Sequence, residues 1–310
     1  MTATATRRVG IDVGGTKCLG VALGPDGTVL DQQRVPTPND PEALVETLVA
    51  ITEALGADGA VGIAVPGLVN RDGVLLAAPN LTRVTMLPLR DLVAARSGLR
   101  VVVDNDNTVA CLAEWLLGAG RGCDDMVLVG LGTGIGGGFV SGGRLQRGHH
   151  GFAGEFGHMV VQPDGLLCPC GQRGCWERYA SGSGLAHLAR EVAAEGRLVD
   201  VVAAAGSVEA LRGEHITVAA RAGHPDALEV LDRYADWVAV GLVNLTNLFD
   251  PGRIVLSGGL SAEPELYLPP IAAAFERTLF AGGLRPRPTV TFAELGPLAG
   301  GIGAALLVDL

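Results

Sequence analysis

The chain reads as an α/β protein of two halves enclosing a cleft, and three observations predict it. Short apolar runs alternate with segments of helical spacing along most of the 310 residues. A strand, a glycine turn at Gly14-Gly15 and a second strand open the chain. The same theme returns at Gly132-Thr133-Gly134-Ile135-Gly136. At this length, with 48% hydrophobic residues, two domains are favoured over one.

Residues 8–12, 18–23 and 28–35 read as short strands, with Gly24-Pro25-Asp26-Gly27 as the second turn, which makes the opening antiparallel. Asn39 or Asp40 then stands as an N-cap before Pro41, and Leu44, Leu48, Ile51 and Leu55 recur at helical spacing up to Gly56. Residues 60–65 and 99–103 are almost wholly apolar, as strands buried on both faces are. Val109, Leu112, Ala113 and Leu116 share one face of a helix over 107–117. Asp104-Asn105-Asp106 therefore lies where a strand hands over to a helix, at the strand end where open α/β sheets bind ligands. The second cycle begins with strands at 126–131 and 137–140. It continues with a long helix over 226–249 stopped by Asp250-Pro251, strands at 253–256 and 289–292, and a last helix over 301–308.

Composition narrows the function. The net charge is −10 and no basic run can track a phosphate backbone, so nucleic acid is not the expected partner. The N-terminus lacks the apolar region of a signal peptide and no stretch approaches a membrane span, which places the protein in the cytoplasm without a membrane partner. Cys18, Cys111 and Cys123 are scattered and read as small buried apolar residues.

The other three cysteines carry chemistry. Cys168, Cys170 and Cys175, with His158, form the one-nitrogen, three-sulfur set that zinc accepts tetrahedrally. Four ligands leave no open position for a reacting water, so the metal is structural and a hydrolytic zinc is disfavoured. Glu155 and Glu177 bracket this loop, and carboxylates there accept hydrogen bonds from a polyol.

In Asp12-Val13-Gly14-Gly15-Thr16-Lys17 the paired glycines let backbone amides approach an anion, and Asp12 suits a Mg²⁺ held through water. Lys17 is the sole lysine of the chain. Gly132, Thr133 and Gly134 form the second such turn; a strand rather than a helix follows it, which argues against a dinucleotide fingerprint. Two cradles hold the phosphates of one nucleotide, and Gly258-Gly259 offers bare backbone for an adenosine. Asp106 is the candidate base for activating an alcohol, although spacing alone does not choose between it and Asp104.

With Gly62-Ile-Ala-Val-Pro66-Gly67, Ala153-Gly-Glu-Phe-Gly-His158 and Cys168-Pro-Cys-Gly-Gln-Arg-Gly-Cys175-Trp-Glu177 added to these motifs, the chain resembles the ROK family of bacterial sugar kinases and sugar-responsive repressors over nearly its whole length. Its pattern is most like that of the zinc-containing, ATP-dependent kinases of glucose. The resemblance implies a two-domain actin-like ATPase (ribonuclease H-like) fold. The expected division is a smaller domain over 1–107, a larger one over 108–297 with the zinc loop at 155–177, and a C-terminal helix over 298–310 returning to the first. It further implies that Asp106 is the general base toward the sugar 6-hydroxyl and that Gly67, Asn80, Asn105, Asp106, Glu155, His158 and Glu177 hold the hexose. ATP and Mg²⁺ are the implied cofactors beside zinc, and homodimers or homotetramers the implied assemblies. N-acetylglucosamine, N-acetylmannosamine, fructose or mannose as acceptor, and polyphosphate as donor, are the alternatives. A repressor on the same scaffold carries a DNA-reading module in front, for which a first strand at residue 8 leaves no room. After Pro79-Asn80-Leu81 many relatives place an aromatic residue where Thr82-Arg83-Val84-Thr85-Met86 stands here.

Overall fold

Alternation along the first strands decides the architecture of the opening half. In this computed structural model, which describes residues 7–310 apart from 80 and 82, β1 (Arg8–Val13) pairs antiparallel with β2 (Lys17–Leu23), and β2 with β3 (Val29–Pro36). Val9, Ile11 and Val13 face one way and Leu19, Val21 and Leu23 the other, as the period of two requires. After α1 (Pro41–Ala54) comes β4 (Ala60–Val65), parallel to β1. A small antiparallel sheet of β5 (Leu68–Val69), β6 (Leu75–Ala77) and β7 (Thr85–Leu87) precedes α2 (Leu89–Ser97). β8 (Arg100–Asn105), parallel to β4, completes the main sheet in the order β3-β2-β1-β4-β8 and leads into α3 (Asp106–Leu117).

The chain divides into two compact units, one built from the segment up to Asp124, Gly138–Gly154 and Glu294–Leu310, the other from Asp125–Gly137 and Glu155–Ala293. The first unit reaches past the boundary at 107 expected from sequence, because α3 belongs to its core. Val109, Leu112 and Ala113 of α3 join Ile302, Ala304, Ala305, Leu306 and Leu307 of the C-terminal helix, and with Leu19, Val21 and Leu23 they cover one face of the sheet. α1 and α2 cover the other through Leu44, Leu48, Ile51 and Val93. Gly10 and Gly62 let that C-terminal helix lie on β1 and β4: a Cβ at either would overlap its backbone at Ala304 and Ala305.

The second unit is built on β9 (Met126–Leu131), and β10 (Ile135–Ser141) carries the chain back to the first, where its end pairs with β11 (Arg144–Gln146). The second unit then supplies α4 (Glu177–Ala180), α5 (Gly182–Ala194), α6 (Val199–Ala205), α7 (Gly213–Arg221), α8 (Pro225–Phe249), β12 (Arg253–Gly258), α9 (Pro264–Thr278) and β13 (Thr289–Phe292). β12 is parallel to both β9 and β13. The C-terminal helix of the first unit is α10 (Ala299–Leu307).

β10 begins earlier than the 137–140 strand read from sequence, at Ile135, so the turn is confined to Gly132, Thr133 and Gly134. Gly137 is a close-packing residue: a Cβ there would overlap the Phe156 ring. Gly138 likewise has the Cys111 side chain where its own would stand.

Candidate active site and metal centre

In the first unit, β8 ends on Asn105, whose side-chain oxygen accepts the backbone N–H groups of Asn107 (2.9 Å) and Thr108 (3.0 Å) and so caps α3. Its amide donates to the carbonyl of Gly67 at 3.1 Å. Asn105, expected on the sugar, is thus also the joint between the β4–β5 turn and α3. Gly67 itself has φ +92° and no room for a side chain against Ala77.

Asp106 follows as the first residue of α3, half-buried, with Oδ1 accepting the backbone and side-chain N–H of Asn107 at 2.8 and 2.9 Å. Burial pushes its pKa up, opposed by those hydrogen bonds. Asp104 is different. It is completely buried, and its Oδ2 meets Arg147 Nε at 2.5 Å without the in-line approach of a hydrogen bond. The two acids differ in accessibility: Asp104 is buried against Arg147, whereas Asp106 is half-buried.

Asp12 sits beneath the start of α10, where a Cβ on Gly300 would overlap its carboxylate. Its pKa is raised to about 7, first by burial and next by the charge of Asp106, with Lys17 opposing. The turn after it spends its carbonyls on protein: Lys17 O accepts Gly14 N (2.9 Å), Gly14 O accepts Thr37 Oγ1 (2.7 Å), and Thr16 O accepts Thr37 N (3.1 Å). Gly15, Thr16 and Lys17 are exposed. That leaves donors and an ammonium at the surface, the arrangement an anion needs. Asn80, the other sugar residue expected in this unit, lies outside the described residues.

In the second unit, His158, Cys168, Cys170 and Cys175 place their ligand atoms within 4.8 Å of one another. His158 turns Nδ1 toward Cys168 Sγ (3.9 Å) and Nε2 toward Glu155 Oε2 (3.9 Å), so one ring nitrogen serves the cluster and the other faces the carboxylate. Cys170 and Cys175 sulfurs are 3.6 Å apart. Burial and the neighbouring thiols raise the Cys175 pKa to about 12; a bound cation reverses that, since coordination deprotonates a thiol. The donor set and its spacing fit a closed tetrahedral zinc site.

The loop is anchored from below. Trp176 is fully buried, donates Nε1–H to the carbonyl of Trp237 (2.7 Å), and lies against α8 where Gly241 leaves space for its ring. Gly132 O accepts Gly182 N (2.8 Å) and Thr133 O accepts Ser183 Oγ (3.0 Å), which holds the second glycine turn against the start of α5. Gly258, at φ +96°, would collide with Leu131 if it had a side chain, whereas open space lies above Gly259. The structure therefore collects Asp12, Gly14, Gly15, Thr16, Lys17, Gly67, Asn105 and Asp106 in one unit. It collects Gly132, Thr133, Gly134, Glu155, His158, Glu177, the cysteines, Gly258 and Gly259 in the other.

The ROK family model matches residues 8–310. The chain belongs to the ROK family. A glucokinase of Streptomyces coelicolor is 42% identical over 304 residues, covering 96% of each chain. An N-acetylmannosamine kinase of Escherichia coli is 35% identical over 312 residues, covering 96% of this chain and 97% of its own. The crystal structure of a ROK family glucokinase from Streptomyces griseus in complex with glucose and AMPPNP superimposes with a TM-score of 0.85 at 42% identity, covering 97% of this chain and 98% of that one. The fold is accordingly the actin-like ATPase fold of the ROK sugar kinases.

Two residues of this ROK chain that support the site were not legible in its sequence. Arg147 directly follows β11 and precedes Gly148, and nothing along the chain pairs it with Asp104. Glu114 lies fully buried on α3, accepting the backbone N–H of Ala119 (2.9 Å), Glu294 (3.1 Å) and Leu295 (2.8 Å), and so ties α3 to the segment that enters α10. A carboxylate inside an apolar helical stripe was its only signal.

Proposed function

We propose that this ROK chain transfers the terminal phosphoryl group of ATP to the 6-hydroxyl of glucose. The observation that carries the reading is Asp106, an accessible carboxylate at the head of α3, oriented by Asn107 and set beside an Asp104 that is already neutralised. Asp106 accepts the proton of the sugar hydroxyl as that oxygen attacks phosphorus. In a loose transition state its main task is to orient the attacking oxygen. Glu155, His158 through Nε2, Glu177, Asn105, Gly67 and Asn80 hold the other hydroxyls. The amides of Gly15 and Thr16 and those of Thr133 and Gly134, with Lys17, take the phosphates, while Gly14 and Gly132 close the turns with their own N–H groups, and Gly258-Gly259 takes the adenosine. Asp12 would hold the Mg²⁺ of the nucleotide through water. Zinc, bound by His158, Cys168, Cys170 and Cys175, supplies structural order to the loop that bears Glu177.

Similarity of 42% to a glucokinase against 35% to an N-acetylmannosamine kinase favours glucose, and the second sugar is the alternative acceptor. A coupled assay of ADP release over a panel of hexoses and N-acetylated hexoses, with ATP and then polyphosphate as donor, tests the reading. Glucose with ATP should give the highest kcat/KM; no sugar-dependent ADP release would reject it.

A further inference from the structure

We propose that Glu177 is a positioning residue through which the cysteine–histidine loop sets the geometry of the Gly132–Gly134 turn. Glu177 opens α4 immediately after Cys175 and Trp176. Its Oε2 accepts the backbone N–H of Ile135 at 2.9 Å, and its Oε1 lies 3.9 Å from Cys168 Sγ. One carboxylate therefore spans from a metal-ligand sulfur to the amide where the turn enters β10. Gly134 is shaped to this contact, because a Cβ there would overlap Glu177 Oε2.

The remaining backbone of the turn is held from the same side, with Gly132 O and Thr133 O taken by Gly182 N and Ser183 Oγ. Trp176, locked in the core against Gly241, fixes the base of Glu177, and the ligand cysteines fix its flank. A hydrogen bond to a charged acceptor is the stronger kind, so this link is the stiffest of the three. Metal order in the loop is thereby converted into order of the turn. The consequence for nucleotide affinity rests on the phosphate-binding reading given above; the tie itself does not.

The test is amide hydrogen exchange of the ligand-free, zinc-loaded protein over residues 130–137, with ATP affinity measured separately by calorimetry. Glu177→Ala removes the acceptor, whereas Glu177→Gln keeps an amide oxygen that still accepts from Ile135. The alanine variant should exchange faster by about tenfold and bind ATP about tenfold more weakly, as loss of a hydrogen bond to a charged group predicts, and the glutamine variant should restore most of both. Chelating zinc from the wild type should accelerate the same peptide. Should the alanine variant fold poorly, Glu177→Asp withdraws the oxygen by one methylene and must show the same acceleration. Unchanged exchange in the variants overturns the tie, and unchanged exchange after chelation overturns its coupling to the metal loop. Faster exchange with native ATP affinity overturns the phosphate-binding role of the turn instead. A residue serving only as a sugar ligand would move glucose affinity and leave the peptide alone.

Discussion

Arg147 reaches the completely buried carboxylate of Asp104 at 2.5 Å, and this pairing separates two acids that stand almost side by side in the sequence. Asp104 Oδ1 accepts the N–H of Asn105 (2.9 Å), while Arg147 extends a second nitrogen to the carbonyl of Val103 (3.4 Å). The last residues of β8 are thus clamped just before the chain turns into α3. Burial raises the Asp104 pKa, and the Arg147 charge offsets only part of that rise.

Arg147→Met should cost about 3–5 kcal/mol, because it leaves a buried carboxylate without its counter-charge. Replacing both partners, Asp104→Leu with Arg147→Met, should recover much of that loss, since neither charge then needs solvation. Urea unfolding of the two singles and the double forms a cycle that isolates the pair. A single-variant cost below about 1 kcal/mol would show that the clamp does not bear on stability.

Asp106→Asn should lower kcat by about 10²–10⁴-fold while the melting temperature stays near that of the wild type. Asparagine retains an oxygen that can accept from Asn107, and the cap on α3 belongs to Asn105, so folding is little disturbed. Asp104→Asn should do the converse, lowering stability first. Steady-state kinetics beside thermal unfolding separate the two; near-native turnover in Asp106→Asn would reject its role as base.

How far the sequence foretold this site follows from the range over which each signal acts. Asp40 capping α1 through Glu42 and Ala43 is local chemistry, as are the apolar alternation of β1 and β2 and the stop at Asp250-Pro251, and all were legible. The cysteine set was legible too, because metal ligation dictates residue type and spacing together. α9 was hidden since Pro269 and Pro270 lie inside it, and α6 because only seven residues give too little periodicity. The Asp104–Arg147 and Glu177–Ile135 contacts join residues far apart in the chain, and no local pattern encodes such a meeting.

Cys170→Ser should strip zinc and destabilise the second unit by about 4 kcal/mol or more, the range expected for loss of a metal site. Cys170 is exposed, so serine meets no steric obstacle and the loss reports ligation alone. Metal analysis by plasma emission, paired with thermal unfolding before and after chelation, checks it. A variant retaining both stoichiometric zinc and its melting temperature would remove Cys170 from the ligand set.

Stability in the absence of nucleotide and divalent cation should fall as the pH rises toward neutrality, and Asp12 should account for part of the slope. Its folded pKa of about 7 stands above the ordinary value of 3.8, so the folded state holds its proton more tightly than the unfolded chain does. The stabilisation is complete below about pH 4 and is lost as the pH passes through about 7, at up to about 1.4 kcal/mol per pH unit for one group. Asp106 and Asp104 are raised as well and act with the same sign. Asp12→Asn, which cannot ionise, should therefore unfold with a shallower decline between pH 5 and 8 and gain on the wild type as the pH rises. Urea midpoints across that range provide the comparison, and parallel curves would show that Asp12 ionisation is not linked to folding. Adding Mg²⁺ should flatten the wild-type curve more than that of the variant, because a cation near the carboxylate favours the charged form that burial opposes.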